Sequence, residues 1–419
     1  MAVTICSTAF ETLGRRQAEA LGCAGLPIAF VPHPFGLHTR AELPKLAEDV
    51  AAQIAKLVSQ EGDRAWGGKT AGLVCAETIT VPGDIEELHR FCAEQRLSDG
   101  LPVIPPTIER VERMLAGAAN PRDEVIGRIA PVYGEATVER IAINAVMAGC
   151  VPACINVLVG AVRAITAPEF NLQGIQTTTN PAAVWLVVNG PIAAELEVNS
   201  GPNCLGQGVS SNLTLGRALR LVLQNIGGAL PGAMDRATHG QPGKLSMCCA
   251  ENATLSPWEA LHVERGFAAE VSTVTAIGFS GTLNMNIHSK NANEILRSIA
   301  DAMAHAPSND YWCGGEPWIV LSPEHAQVLA QAGLNKGEVK RCLWEESKMI
   351  ASRMTDKDFD RTRRTRREEL GDIRPDTLLP VTRSAQDIGI IVAGGDGTHS
   401  VYVPGFGNSR SVTGAVAIS

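Results

Sequence analysis

Nucleophiles, bases and cations crowd into two stretches of this 419-residue chain. The first, NSGPNCLGQGVSSN at 199–212, is a glycine loop that carries Cys204 and runs into an apolar helix. A thiol just ahead of a helix N-terminus is held as thiolate by the dipole and the free N–H groups there. Asn203 beside it can bind substrate, whereas the plainer reading gives the loop's Asn and Ser residues only turns and a helix cap. The second stretch, 235–267, gathers His239, Lys244, Cys248, Cys249, Glu251, Trp258, Glu259, His262, Glu264 and Arg265. That mixture supplies a nucleophile, a general base and anion partners. His262 is the candidate base, Glu264 its orienter if the backbone there is extended, and Lys244 and Arg265 the candidate substrate-binding cations. The same stretch also reads as the metal site of a lyase or hydratase, with Cys248, Glu251, His262 and Glu264 as ligands. Each side chain has a plain packing role as its alternative.

Smaller motifs follow. In QTTTNP (176–181), Thr178 and Asn180 can hydrogen-bond a carboxylate or amide, although a capped turn accounts for them too. His33 lies between two prolines at the carboxyl end of a strand, where open α/β sheets bind ligands. YWCGGEPW (311–318) places Cys313 on a pocket rim or on a tight approach to a strand. Cys150 and Cys154 in GCVPAC read as core cysteines. AGGDGTHS (393–400) fits neither GxGxxG nor GxxxxGKS and reads as a tight hairpin turn rather than a phosphate loop. RTRRTRREE (361–369) reads as a solvated helix with i,i+4 pairing, the alternative being an anion or partner site.

The elements that must position these groups are α/β in pattern. AVTIC (2–6) and LPIAFV (26–31) are short buried strands, each followed by a helix, the second amphipathic through Leu43, Leu46, Val50, Ile54 and Leu57. Two parallel strands make a poor core alone, because parallel sheets are usually covered on both faces. Residues 1–62 are therefore predicted to be the N-terminal half of an open parallel-sheet unit that something else completes. A polar linker at 63–74 leads to a main substrate-binding body, 75–315, and a C-terminal α/β segment, 316–419, packed on it. The larger part is α/β or α+β. Strands are predicted near 125–129, 185–191, 272–279 and 316–323, with helices at 84–95, 108–115, 136–148, 153–165, 212–228 and two within 322–347. Asn212 or Ser211 is the expected cap of the 212–228 helix. No internal repeat is evident.

Composition narrows the class. Hydrophobic residues are 45% and charged residues 19%, enough for a sizeable core, and the net charge of −8 offers no basic surface for nucleic acid. The opening residues lack a basic n-region and a long apolar h-region, and no run of 18 uncharged apolar residues occurs. A cytoplasmic, non-membrane protein is expected, its eleven cysteines thiols, redox groups or ligands rather than disulfides.

Several segments carry a resemblance: VTICSTAF, ALGCAGLPIAFVPHPFG, SDGLPVIPPT, INAVMAGCVP, SGPNCLGQG, SPWEALHVERGF and LSPEHAQVLAQAGLNKGEV. Together they resemble the UGSC family of cysteine or selenocysteine proteins, whose eponymous domain is similar to the selenoprotein B component of glycine and proline reductases. The Sec/Cys-Gly-Ser-Cys motif itself is missing, and in that family it stands upstream of the strand that is AVTIC here. The resemblance thus implies one piece of a split protein, with a smaller subunit carrying C/U-G-S-C as its partner in a hetero-oligomer. It also implies thiol- or selenol-based redox or carbon–heteroatom (C–S, C–N) bond chemistry on a small molecule. Cys6, at the carboxyl end of the first strand, would face the partner's motif and serve as a second thiol. Two other classes stay open: the metal-dependent lyase or hydratase, with its transition metal, and a non-catalytic substrate-binding or scaffolding subunit.

Overall fold

The computed structural model describes residues 2–59 and 78–417; the linker expected at 63–74 lies outside the described residues. The chain is α/β, as its pattern implies. The N-terminal unit opens with β1 (Thr4–Ser7), crosses through α1 (Glu11–Ala20) to β2 (Ile28–Val31), and ends in α2 (Leu43–Ser59). β1 and β2 pair in parallel, Cys6 opposite Phe30. Beyond β2 the sheet goes no further, and α2 shows why. Gln53 accepts the Phe30 N–H at 2.9 Å and donates to the Phe30 carbonyl at 3.0 Å. One side chain thus satisfies the backbone groups that a third strand would take. Among the described residues the β1 edge has no such cover, and Ile5 on it is 55% exposed.

The main body begins with α3 (Ile85–Glu94), α4 (Ile108–Leu115), the hairpin β3 (Val125–Ile129) and β4 (Gly134–Thr137), then α5 (Val138–Ala148), α6 (Ile155–Thr166) and α7 (Leu172–Thr177). Next come β5 (Ala183–Asn189), α8 (Pro191–Glu195), α9 (Ser210–Asn225), β6 (Cys248–Ala250), α10 (Leu261–Glu264), β7 (Thr273–Phe279) and β8 (Leu283–Asn286). The last third holds α11 (Ala292–Met303), α12 (Asn309–Cys313), β9 (Trp318–Leu321), α13 (Pro323–Gln331) and α14 (Lys336–Glu346). A two-residue ladder of β10 (Met349–Ile350) and β11 (Leu378–Leu379) brackets α15 (Asp356–Thr365), and β12 (Gly389–Val392), β13 (His399–Val403) and β14 (Val412–Ala415) finish the chain.

These elements stack as helices, sheet, sheet, helices. Strand side chains alternate between faces, and the burial follows. In β5, Leu186 and Val188 face α5, α6 and α9, whereas Trp185 and Val187 face the second sheet. In β9, Ile319 and Leu321 face α11, α13 and α14, whereas Trp318 and Val320 face back. Trp185 and Trp318 meet edge to face at 6.0 Å between the sheets. Such a pair adds about 1 kcal/mol beyond the area it buries.

The expectation of no internal repeat is corrected here. One sheet has the order β14-β7-β5-β6 and the other β8-β13-β9-β12. In each, the end strand lies parallel to its neighbour and the other two pairings are antiparallel. The registers agree residue for residue: Trp185 pairs with Ile277 as Trp318 pairs with Val403, and 273–276 pair with 412–415 as 399–402 pair with 283–286. Helix cover agrees too: α6 packs on β7 and β14, α11 on β13 and β8. The body is thus two topologically equivalent halves, related about the Phe279–Gly405 bridge. Each half lends its fourth strand to the other's sheet, because β8 follows β7 and β14 follows β13. A boundary at 315/316 separates neither sheet.

Candidate functional site

Equivalent halves create two equivalent openings, one at the carboxyl end of each parallel strand pair, where α/β sheets usually bind ligands. The first half fills its own. Residues 251–272 between β6 and β7 fold over it, and Arg265 reaches in to donate to Thr413 Oγ1 (2.8 Å) and Ser411 Oγ, 3.5 Å from Glu316 and over the Trp318 ring. Glu251 at the end of β6 accepts from Asn189 Nδ2 and from the Leu261 N–H, both at 2.6 Å. Lys336 lies 4.0 Å from Glu251 and 3.0 Å from Glu264, which also takes Lys340. Burial pushes the Glu251 carboxyl up, whereas the two lysines hold Glu264 down against its own burial.

This placement reorders the polar stretch of 235–267. The backbone at His262 and Glu264 is helical, not extended. His262 is buried with Nε2 3.2 Å from the Ala269 carbonyl, while Glu264 belongs to the lysines and does not orient it. Lys244 is tied to Asp235 at 2.6 Å, and burial lowers its pKa. The ligand set of Cys248, Glu251, His262 and Glu264 is not assembled: Cys248 faces the helices, the two carboxylates converge on Lys336, and among the described residues no group of three His, Cys, Asp or Glu is placed to hold a metal ion. Arg265 and Lys336 bind the chain's own groups. Sequence proximity gathered these residues, but the fold spends them on closing one half.

The second half has only residues 393–398 between β12 and β13, and its opening is a pocket of about 490 Å³. Its walls are the loop from Asn203 to Gly206, the glycine run 394–397, and Asn284, Ser322 and His399. The glycine run is not a hairpin turn, because β9 lies between β12 and β13. It crosses over that strand and leans on the Cys204 loop: Gly394 N–H donates to Ser200 O at 2.9 Å, and a Cβ at Gly395 would stand 2.7 Å from Pro202.

The Cys204 loop is fixed from beneath by Asn212, one of the two residues expected to cap the helix. α9 instead starts at Ser210 after Val209, without a side-chain cap. Asn212 accepts the Asn199 N–H at 2.7 Å, and its Nδ2 lies 3.0 to 3.1 Å from the carbonyls of Asn199, Cys204 and Cys248. Asn203 takes a left-handed φ of 60° and donates to Gln207 O. Cys204 itself is buried in the pocket wall against Cys249. A hydrogen bond from the Cys249 thiol holds Cys204 below the ordinary thiol value, with the N–H groups of Cys204 and Leu205 helping against burial. Cys249 is pushed well up by the same pairing and by burial. The pairing thus favours Cys204 over Cys249 as the thiolate, with a second thiol as its largest support. His399, exposed and 3.3 Å from Asn284 Nδ2, supplies an imidazole on the same pocket. Sequence reading missed it, along with Asn284, Ser322 and the Cys204–Cys249 pairing.

At the N-terminal unit the carboxyl ends of β1 and β2 bring Cys6 and His33 to one place. His33 Nδ1 is 2.9 Å from Ser7 Oγ, the His33 backbone N–H donates to Thr8 Oγ1 at 3.2 Å, and the ring stands edge-on to Phe10. The Cys6 thiol donates to the Phe10 carbonyl at 3.4 Å, and burial, then Glu11, raises its pKa. An apolar groove of about 340 Å³ runs along the open β1 edge, with Cys6, Leu13, Leu21 and Ile28 in its walls. Thr178 and Asn180 lie elsewhere, on a third pocket with Cys313.

No single helix among the described residues is long and apolar enough to cross a membrane. Residues 1–60 match the model of the UGSC family, so this stretch is UGSC-like. No curated protein and no solved structure matches the chain at a significant level.

Proposed function

We propose that this chain, UGSC-like over its first sixty residues, is the substrate-binding and thiol-bearing part of an enzyme that works on a small molecule. The observation that carries the reading is Cys204 on the wall of the open pocket, paired with the buried Cys249 behind it and with His399 on the same rim. A thiolate at Cys204 attacks an electrophilic carbon and expels its amine or thiol, which His399 protonates; Cys249 then attacks the Cys204 sulfur, releasing the carbon as R–H and closing a disulfide. Net, the two thiols give up two electrons and two protons to the substrate, and an external dithiol restores them. Carbon–sulfur or carbon–nitrogen cleavage with reduction fits that balance. We further propose that the β1 edge receives a strand from a smaller subunit carrying C/U-G-S-C, which would set its motif beside Cys6 and His33. Gln53 supports that choice of edge, since it occupies the opposite one.

Iodoacetamide labelling near pH 7 with peptide mapping tests the thiol assignment. Cys204 is expected to react first among the cysteines, and Cys204→Ser to abolish that fast phase. Labelling elsewhere first, with Cys204 inert, overturns it. Native mass spectrometry of the protein from its own host tests the partner: a smaller C/U-G-S-C chain supports it, and a homo-oligomer alone refutes it.

A further inference from the structure

The pocket holding Thr178 and Asn180 is distinct from the thiol pocket, and its chemistry points to a ligand. It measures about 360 Å³ and lies between the residues that follow α7 (178–180), α12 with Asn309, Trp312 and Cys313, and α15 with Arg361. Two of its lining residues each hold a buried polar atom without a hydrogen-bond partner among the described residues: Asn180 Oδ1, an acceptor, and Trp312 Nε1, a donor. Buried polar groups are almost always paired, so two orphans of opposite kind on one cavity call for a molecule that satisfies both. The charge is equally one-sided. Arg361 lies over the Trp312 ring at 4.5 Å and has no carboxylate partner among the described residues, and no acidic side chain lines the pocket. Two others on the same basic run are paired: Arg363 lies 3.8 Å from Asp372, and Arg366 is held by Glu369.

We propose that this pocket binds a small monocarboxylate that also carries a neutral hydrogen-bond donor, a hydroxyl or an amide N–H. The carboxylate meets Arg361 and the Trp312 N–H, a charge-assisted pairing that the stacked guanidinium is oriented to make. The neutral donor meets Asn180 Oδ1. An ammonium group is disfavoured, because nothing in the lining balances a second positive charge. The site also borders the UGSC-like unit. α15 holds that unit through Lys357 Nζ to Gly36 O (3.1 Å) and Asp360 to Arg40 (3.7 Å), and α7 through Gln173 to Gln17 (3.4 Å). Both pocket walls are thus the elements on which the unit rests, and a ligand bridging them tightens that seat.

N-acetylglycine, which has one carboxylate and one amide N–H, is a suitable probe, with N-acetylglycinamide as its neutral counterpart. Calorimetry on the full chain is expected to show millimolar binding of N-acetylglycine and roughly tenfold weaker binding of the amide. Arg361→Gln, on an exposed side chain, is expected to reduce affinity about tenfold. Trp312→Phe keeps the stack but removes the donor, and is expected to reduce affinity about threefold or more. Hydrogen exchange should slow in residues 32–40 when the probe is bound. Equal affinity in wild type and Arg361→Gln, or no binding up to about 50 mM, overturns the proposal. Neither result touches the labelling of Cys204, so the two readings fail separately.

Discussion

Replacing Asp310 by asparagine is expected to stabilise the protein at neutral and alkaline pH and to leave it unchanged in acid. Asp310 is wholly buried, in a socket where Gly315 and Gly405 bring backbone onto it; a Cβ at Gly315 would stand 1.9 Å from its Oδ1. Its Oδ2 accepts the Gly405 N–H at 2.9 Å and faces Ser308 Oγ at 3.4 Å, whereas Oδ1 has no partner. Burial pushes the carboxyl up to about 7 from 3.8, outweighing the Gly405 and Ser308 hydrogen bonds and the attraction of Arg410. Between those two values the folded chain keeps a proton that the unfolded chain has lost, so stability falls as pH rises. At 1.36 kcal/mol per pKa unit the full loss is about 4 kcal/mol above pH 7. Asparagine keeps the shape and the Gly405 hydrogen bond without the charge. Urea unfolding of both proteins from pH 4.5 to 8 gives the test. The difference in their stabilities should grow by about 1 kcal/mol per pH unit near pH 5–6 and level off above 7. Glu251, also raised by burial, acts alike in both proteins and cancels from the difference, while Glu316 enters only through its repulsion of Asp310. A difference flat in pH would refute the reasoning.

Further changes probe the loop and the closed half. Asn212→Asp removes the donor shared by three buried carbonyls beneath Cys204, so a loss of ~3 kcal/mol or more is expected in urea unfolding, together with loss of selective Cys204 labelling. Arg265→Met leaves the buried Glu316 short of its nearest cation; a cost of about 3–5 kcal/mol is expected, partly returned by adding Glu316→Gln, as thermal melts of the single and double variants would show.

Local structure was legible in the sequence wherever one element speaks for itself. The parallel start at β1 and β2, the Ser322-Pro323 entry to α13 and the paired helices after it are set by alternation, periodicity and caps, which act over a few residues. The duplication was not, although WLVVNGP and WIVLSP hold the equivalent tryptophans. Its halves differ in the lengths of their connections, most of all 251–272 against 393–398, and their last strands are exchanged, so no constant period survives. The site failed to show for a related reason. Cys204 was found from its loop, but Cys249 and His399 reach it through strand order, which no local pattern encodes. The dense stretch at 235–267 misled because charge clusters mark a plug as readily as an active centre. Gln53, which closes the β2 edge, looks in sequence like any polar residue of an amphipathic helix.

The exchange of end strands also sets a schedule for synthesis. β7 waits for β14, its antiparallel partner, until residues 412–415 have been made, and at about 5–20 residues per second that delay is on the order of ten seconds. Through that interval the nascent first half shows an unpaired edge beside the apolar underside of α6. A crowded polysome would offer it the β14 of a neighbouring copy as readily as its own. Interlocked dimers are then the expected by-product of rapid expression, and slower translation or a chaperone that shields that edge should suppress them.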